Sequence, residues 1–433
     1  MIFYNKVYIV HIFEKCMTAI SNSNQQSFSS EGKKYPVALY SLMTLFFMMG
    51  FITCLNDILI PYMKSIFQLS YKEANFINLC FFGAYFVMSI PSGLIIQKIG
   101  YKGGMILGFI VAAIGCFLFY PAAGTKVYGI FLAALFILAS GITLLQVAGN
   151  PYVAVLGKPE TSSARLTLTQ AFNSVGTTIA PFIGSSLILS NLPKNIAVNT
   201  LIDVSAVQKP YLFIGGVLVL IAIILVLIKL PKIGHGENDI VTENFIDKGS
   251  AWKYTHLVLG AIGIFTYVGA EVAIGSHITS YLHGTDVMGF TLEEAGRYVA
   301  YYWGGAMMGR FIGSIILQKF KPGNVLAFNA SAAIFLIAMS ILSSGSIAMW
   351  SILAVGLMNS LMFATIFTLA VKNLGKYTDQ ASGILCTAIV GGAIVPFLYG
   401  TVGDAISLKA AFILPIICYS YIVYYGVKGH KTI

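Results

Sequence analysis

From residue 37 onward the chain is a succession of apolar runs, each about 18–25 residues long and separated by short polar connections. As an α-helix, a run of that length crosses a hydrocarbon core of roughly 30 Å, and it satisfies its own backbone hydrogen bonds where no water is present to do so. Twelve such runs lie near 37–62, 75–97, 103–122, 127–153, 166–190, 210–230, 254–282, 295–318, 324–343, 347–371, 381–402 and 409–427. Composition points the same way: 57% of residues are hydrophobic and 10% charged, against about 45–50% and 25% in a soluble domain. The expected fold class is therefore an all-α membrane protein with twelve transmembrane helices in contact with a lipid bilayer.

A net charge of +10 would suit a nucleic-acid partner if the basic residues shared one face, but they fall between the apolar runs. That is the distribution that orients membrane proteins, and no nucleic acid is expected. With both termini cytoplasmic, about 18 Lys and Arg lie on the cytoplasmic side and about 7 on the other. The chain is thus expected to be multi-pass in the cytoplasmic (inner) membrane with both ends inside. Arg310, within the eighth run, is expected to pair structurally or to snorkel toward the interface.

The 1–36 segment is polar apart from "VYIVHIF" and is expected to be a disordered cytoplasmic tail; Met17 opens a more ordinary beginning. The cysteines Cys16, Cys54, Cys80, Cys116, Cys386 and Cys418 have no metal-like spacing, so neither a metal site nor a disulfide is expected. The polar stretch 231–253 divides the runs into a bundle of six over 37–230 and another over 254–427, before a short tail at 428–433. Internal echoes support a duplication: "GLIIQKIGYKGG" at 93–104 ends the second run and "GSIILQKFKPGN" at 313–324 ends the eighth. Two parallel repeats around a midplane site is a transporter arrangement. Gly305, Gly309 and Gly313, four apart, are expected to pack one helix tightly on another.

Of the sixteen acidic residues, fourteen fall in or beside the connections, leaving Asp57 in the first run and Glu271 in the seventh. A carboxylate at such depth costs about 2.5–3.5 kcal/mol, so it points to function before anything else. Low-dielectric surroundings favour the uncharged form of any carboxyl group, which is what a proton carrier requires, and both acids are proton-coupling candidates. The static alternative is a polar pair that holds helices together.

Residues three and four apart share a helix face. Thr53, Asn56 and Asp57 form such a polar stripe, as do Thr143, Gln146 and Asn150, and Gln170, Asn173 and Thr177. Amides and hydroxyls both donate and accept, as a neutral polyol requires, whereas an anion would call for buried Arg or Lys. A small neutral sugar is the expected substrate, with Asn56, Gln146, Asn150, Gln170 and Asn173 as contacts. In the second half, Tyr267, one turn before Glu271, and Asn359 are added as sugar-contact candidates. Tyr298, Tyr301, Tyr302 and Trp303 read as core or interfacial belt, and His277 as a structural histidine.

These residues resemble the fucose–galactose–glucose:proton symporters of the major facilitator superfamily. The resemblance rests on "NDILIPYMKSIFQLSYKEANFI" (56–77), "LLQVAGNPYVAVLG" (144–157), "RLTLTQAFNSVGTTIAP" (165–181), "YVGAEVAIGS" (267–276) and "TIFTLAVKNLGKYTDQASGILCTAIVGGAIVP" (365–396). It implies that fold, a role for Asp57 in proton coupling and sugar binding, and sugar contacts at Gln170 and Asn173. Gln146 stands where the fucose branch has glutamate and Glu271 where it has glutamine, which resembles the glucose/galactose branch. The superfamily's loop signature wants an acid where this chain has Gln97, and only "GYK" at 100–102 remains of it.

The expected function is proton-coupled uptake of a glucose- or galactose-type hexose by alternating access, with a co-transported proton and no cofactor, in a monomer. Alternatives within transport are a fucose or amino-sugar symporter and a facilitator without proton coupling. An enzyme is not expected, because neither H-E-x-x-H, G-x-S-x-G nor a Walker lysine motif occurs in the chain.

Overall fold

Apolar runs of this length have no water to bond their backbones, so the chain resolves into helices, and no strand forms among the described residues of the computed structural model. The structure describes residues 36–67, 71–125, 127–187, 205–231 and 247–431, without the side chains of 36–37, 55–67, 71–76, 78, 181–187, 205–207 and 292–293. Residues 1–35 of the expected 1–36 tail and most of the 231–253 connection lie outside the described residues, and Pro36 already belongs to the first helix.

Helix α1 is Pro36–Phe67; one helical run, Tyr71–Thr125, holds α2 (71–99) and α3 (101–125), divided at Gly100. There φ is 77° and ψ 166°, a conformation that glycine adopts without a Cβ clash. Then come α4 (Tyr128–Val155), α5 (Ser162–Leu187), α6 (Ser205–Leu227), α7 (Thr255–His283), α8 (Leu292–Lys319) and α9 (Pro322–Leu342). The last three are α10 (Gly345–Ala370), α11 (Gly375–Ala405) and α12 (Leu408–Gly429). None of these three is a single helix, and α12 is interrupted at Phe412. α10 breaks between Asn359 and Met362, and α11 passes through a tight turn at Ala388–Val390. α12 runs on through a π-turn at Tyr425–Gly429, so the expected tail at 428–433 begins as helix; Gly426 lets its last turn pack on Gly323 and Ala327 of α9.

Packing repeats between the halves. α1 lies on α5, α4 on the α2–α3 run and α6 on the same run; correspondingly α7 lies on α11, α10 on α8 and α9, and α12 on α9. The halves meet where α5 packs on α8 and α2 on α11, two contacts that the duplication interchanges. Glycine allows close crossings. A Cβ on Gly356 of α10 would fall 2.1 Å from the Tyr302 carbonyl oxygen of α8, and one on Gly309 2.5 Å from Ser360 Oγ.

The outer surface is greasy, with Phe213, Phe328, Phe397 and Leu342 all well exposed, which suits hydrocarbon and not water. Tyr301 and Trp350 pack edge to face on this surface while Tyr302 is fully buried. On the face that carries the 228–254 connection, basic side chains cap helix C-termini, where the backbone leaves carbonyls unpaired. Lys102, from the "GYK" turn, donates to the carbonyls of Val226 and Ile228 at 3.0 and 2.9 Å. Arg165 donates to Ala154 at 2.8 Å and Lys158 at 2.9 Å.

Candidate functional site

The three polar stripes separate by chemistry once folded. Threonine hydroxyls turn back on their own helices: Thr53 bonds the Met49 carbonyl, Thr143 that of Ala139 and Thr177 that of Ser174, all within 2.9 Å. The amides instead reach across helices. Gln146 Nε2 of α4 donates to Tyr85 Oη of α2 at 3.0 Å, Gln170 Nε2 of α5 to Asn150 Oδ1 of α4 at 3.4 Å, and Asn173 Nδ2 of α5 to the Phe46 carbonyl of α1 at 3.0 Å. Gln146, Gln170 and Asn173 keep partial exposure, whereas Asn150 is fully buried with its Nδ2 unpartnered. Asn56 and Asp57 lie on the later part of α1, and their side chains are outside the described residues.

In the second half the candidates form one buried network. Tyr302 Oη of α8 donates to the Glu271 carbonyl at 3.0 Å and accepts from Asn359 Nδ2 at 2.8 Å. Tyr419 Oη of α12 donates to Asn359 Oδ1 at 2.7 Å, and Tyr267 Oη to the Asn359 carbonyl at 3.2 Å. Asn359 and Tyr267 are therefore engaged in packing and reach no open surface in this conformation. The sequence pattern suggested sugar contacts here because it shows that residues share a face, not what that face meets.

Glu271 is 8% exposed, and its Oε1 has no hydrogen-bond partner. Its counter-charge is Arg310 of α8, with Nη2 3.8 Å from Oε1. The guanidinium is also bonded elsewhere. Nε donates to the Ser360 carbonyl at 3.2 Å, and Nη1 donates to the Gln170 carbonyl at 3.4 Å and to Ser174 Oγ. Ser360 sits at the break in α10, where helix geometry no longer claims its carbonyl. Arg310 thus joins the deep acid of one half to the amide-bearing α5 of the other, and of the two roles expected for it the structure shows pairing.

The face bearing the 228–254 connection is closed between the halves. Ser163 Oγ of α5 lies 2.6 Å from Thr368 Oγ1 of α10, and Ser382 Oγ of α11 donates to the Val147 carbonyl of α4 at 2.8 Å. Asp379, which the pattern places beside a connection, is buried at the first turn of α11, where it accepts a hydrogen bond from Tyr101 of the "GYK" turn. Tyr85, Ser174, Tyr419 and the Ser360 carbonyl were not foreseen, and only the lone basic residue inside a span signalled that something must surround it.

Comparison with known proteins is decisive for the family. Residues 41–396 match the Major Facilitator Superfamily. The chain belongs to this superfamily. It is 54% identical over 412 residues to a glucose/galactose transporter of Brucella abortus, covering 95% of this chain and 98% of that protein. A putative glucose/galactose transporter of Helicobacter pylori is 48% identical over 91% of this chain and 97% of its own length. The L-fucose-proton symporter of Escherichia coli is 32% identical over 91% of this chain and 93% of that one. The crystal structure of FucP in the outward conformation superposes with a TM-score of 0.83, covering 93% of this chain and all of that one at 32% identity. Like its relatives in the superfamily, the protein is a transporter and not an enzyme, and the twelve-helix fold expected from the apolar runs is that of the superfamily.

Proposed function

We propose that the protein imports a glucose- or galactose-type hexose together with a proton across the cytoplasmic membrane, by alternating access and as a monomer. The observation that carries this reading is the junction at Arg310, which sets a buried carboxyl 3.8 Å from a cation that bonds the backbone of Gln170 on the amide-bearing helix. The 54% identity to a glucose/galactose transporter supports the choice of sugar over the 32% identity to a fucose symporter.

In this reading Gln146, Gln170 and Asn173 bind sugar hydroxyls through amides that exchange their present partners for substrate, and Asn56 joins them. Asn150 contributes by holding Gln170. Asp57 and Glu271 carry the proton between them, since a carboxyl in low dielectric gains or loses a proton as its access to water changes. The helix ends capped by Lys102 and Arg165 support a cytoplasmic position for that face by their charge; in this reading both termini are inside and the closed face is the inner one. A proton charge moved through 100 mV supplies about 2.3 kcal/mol, enough for roughly 40-fold accumulation at 1.4 kcal/mol per decade.

The test is labelled-glucose uptake into proteoliposomes with competition by galactose, fucose and glucosamine, together with external pH after sugar addition. Glucose and galactose are expected to compete, fucose poorly, with alkalinisation outside. Competition by fucose alone, or uptake without alkalinisation, overturns the proposal.

A further inference from the structure

Arg310 stands apart from other charged groups among the described residues because its guanidinium, little exposed, has partners on three helices and both halves of the protein. Its Nη2 faces Glu271 of α7, its Nε holds the Ser360 carbonyl in the break of α10, and its Nη1 crosses to Gln170 and Ser174 of α5. Thr178 Oγ1 to Met307 Sδ at 3.5 Å and the Phe172–Phe311 ring contact at 6.2 Å flank the same α5–α8 crossing. The other titratable groups facing Glu271 are the hydroxyls of Tyr267 on its own helix, Tyr302 on α8 and Tyr419 on α12.

We infer that Arg310 is the positioning residue through which the state of Glu271 controls the closed inner face: with the acid charged the guanidinium latches α8 to α5, and with it neutral the latch gives way. The inference rests on the proton-coupled reading for what neutralises Glu271. Arg does not shed its proton, so once the carboxyl is neutral a buried cation is left without its counter-charge. Breaking one member of a buried pair is the costly change. The nearest relief is water, and water reaches Arg310 when α5 and α8 part on the inner side. The break in α10 offers a carbonyl that stays with Arg310 in either state, because it lies in the same half.

The experiment reads closure directly. In the full-length protein carrying Ser163→Cys and Thr368→Cys, whose hydroxyls lie 2.6 Å apart, disulfide yield after a fixed oxidation at one pH reports the shut inner face. Glu271→Gln is expected to lower that yield severalfold, and Arg310→Gln to lower it likewise. The combination of the two is expected to equal Arg310→Gln alone, since the acid acts through the cation. Ser174→Ala leaves both charges and guards against misfolding of the charge variants; it is expected to lower the yield by itself.

Additive effects of the Glu271 and Arg310 substitutions, or an unchanged yield with Ser174→Ala, overturn the inference. Arg310→Gln is also expected to flatten the stimulation of sugar uptake by external acid, an effect that a purely structural role would not produce, and retained stimulation overturns it too. Failure of the wild-type protein to take up protons with sugar sinks the transport reading instead, so the two failures are separable.

Discussion

Tyr302 Oη accepts from Asn359 Nδ2 at 2.8 Å while donating to the Glu271 carbonyl at 3.0 Å, so the amide in α10 and the acid-bearing turn of α7 are joined through one hydroxyl on α8. The chain closes at Tyr419, which donates to the other end of the same amide at 2.7 Å. Such a network is stable only when every member is satisfied.

Asn359→Ala removes both ends of that amide and leaves two buried tyrosine hydroxyls short of partners. An unsatisfied buried group costs about 1–3 kcal/mol, so a loss of about 2–4 kcal/mol is expected. Thermal unfolding in detergent measures it. Protein that survives should bind sugar with nearly unchanged affinity. A large rise in KM at unaltered stability would show that Asn359 touches substrate in another state of the cycle.

Glu271→Gln keeps size and hydrogen bonding but no longer titrates. Accumulation driven by a membrane potential of about 100 mV should fall by at least about tenfold from a ceiling of roughly 40-fold, while exchange of labelled for unlabelled sugar persists. Asp57→Asn, assayed alongside, apportions the proton between the two acids. Undiminished pH-driven uptake in both variants is incompatible with a carboxyl carrier.

Gly356→Ala places a methyl 2.1 Å from the Tyr302 carbonyl oxygen. Backbone faces backbone at this point, so no side-chain rotation relieves the clash and α8 must move from α10. Overpacking of this kind costs about 1–3 kcal/mol. Unfolding by a denaturing detergent should occur at a lower concentration than for the wild type, and Gly356→Leu should fail to accumulate in the membrane.

The twelve passes were legible because bilayer thickness dictates the length of an apolar run, and Glu271 because a lone acid at depth has few reasons to be there. The stripes were less legible. Spacing placed Thr143, Gln146 and Asn150 on one face, yet a threonine hydroxyl reaches its own carbonyl four residues back while an amide side chain extends to the next helix. The break in α10 has no Pro or Gly to announce it: it falls at Ser360–Leu361, where Arg310 takes the freed carbonyl. Arg310 itself was visible as the basic residue inside a span, but which helices it joined depended on the meeting of two halves 140 residues apart in the chain.

Asp247, at the end of the central connection, lies outside the spans and accepts from Lys376 Nζ at 2.6 Å, Gly249 N at 2.8 Å and Tyr377 Oη at 2.8 Å. The Lys376 bond first, then the Gly249 amide and Tyr377, hold its carboxyl down at about 2. A carboxyl depressed on folding stabilises the native state above its ordinary range near 4 and loses that contribution as pH falls toward the depressed value. Asp247→Asn should thus lower the melting temperature at neutral pH, by about 1 °C or less for so exposed a pair. The gap between variant and wild type should close between about pH 4 and pH 2, because the wild-type carboxyl becomes neutral there as well. High salt should narrow the gap at neutral pH, since exposed charges are screened within about 10 Å at 0.1 M. A gap that persists unchanged in acid would mean that Asp247 acts through the shape of the turn at Gly249, where φ is +77°, and not through its charge.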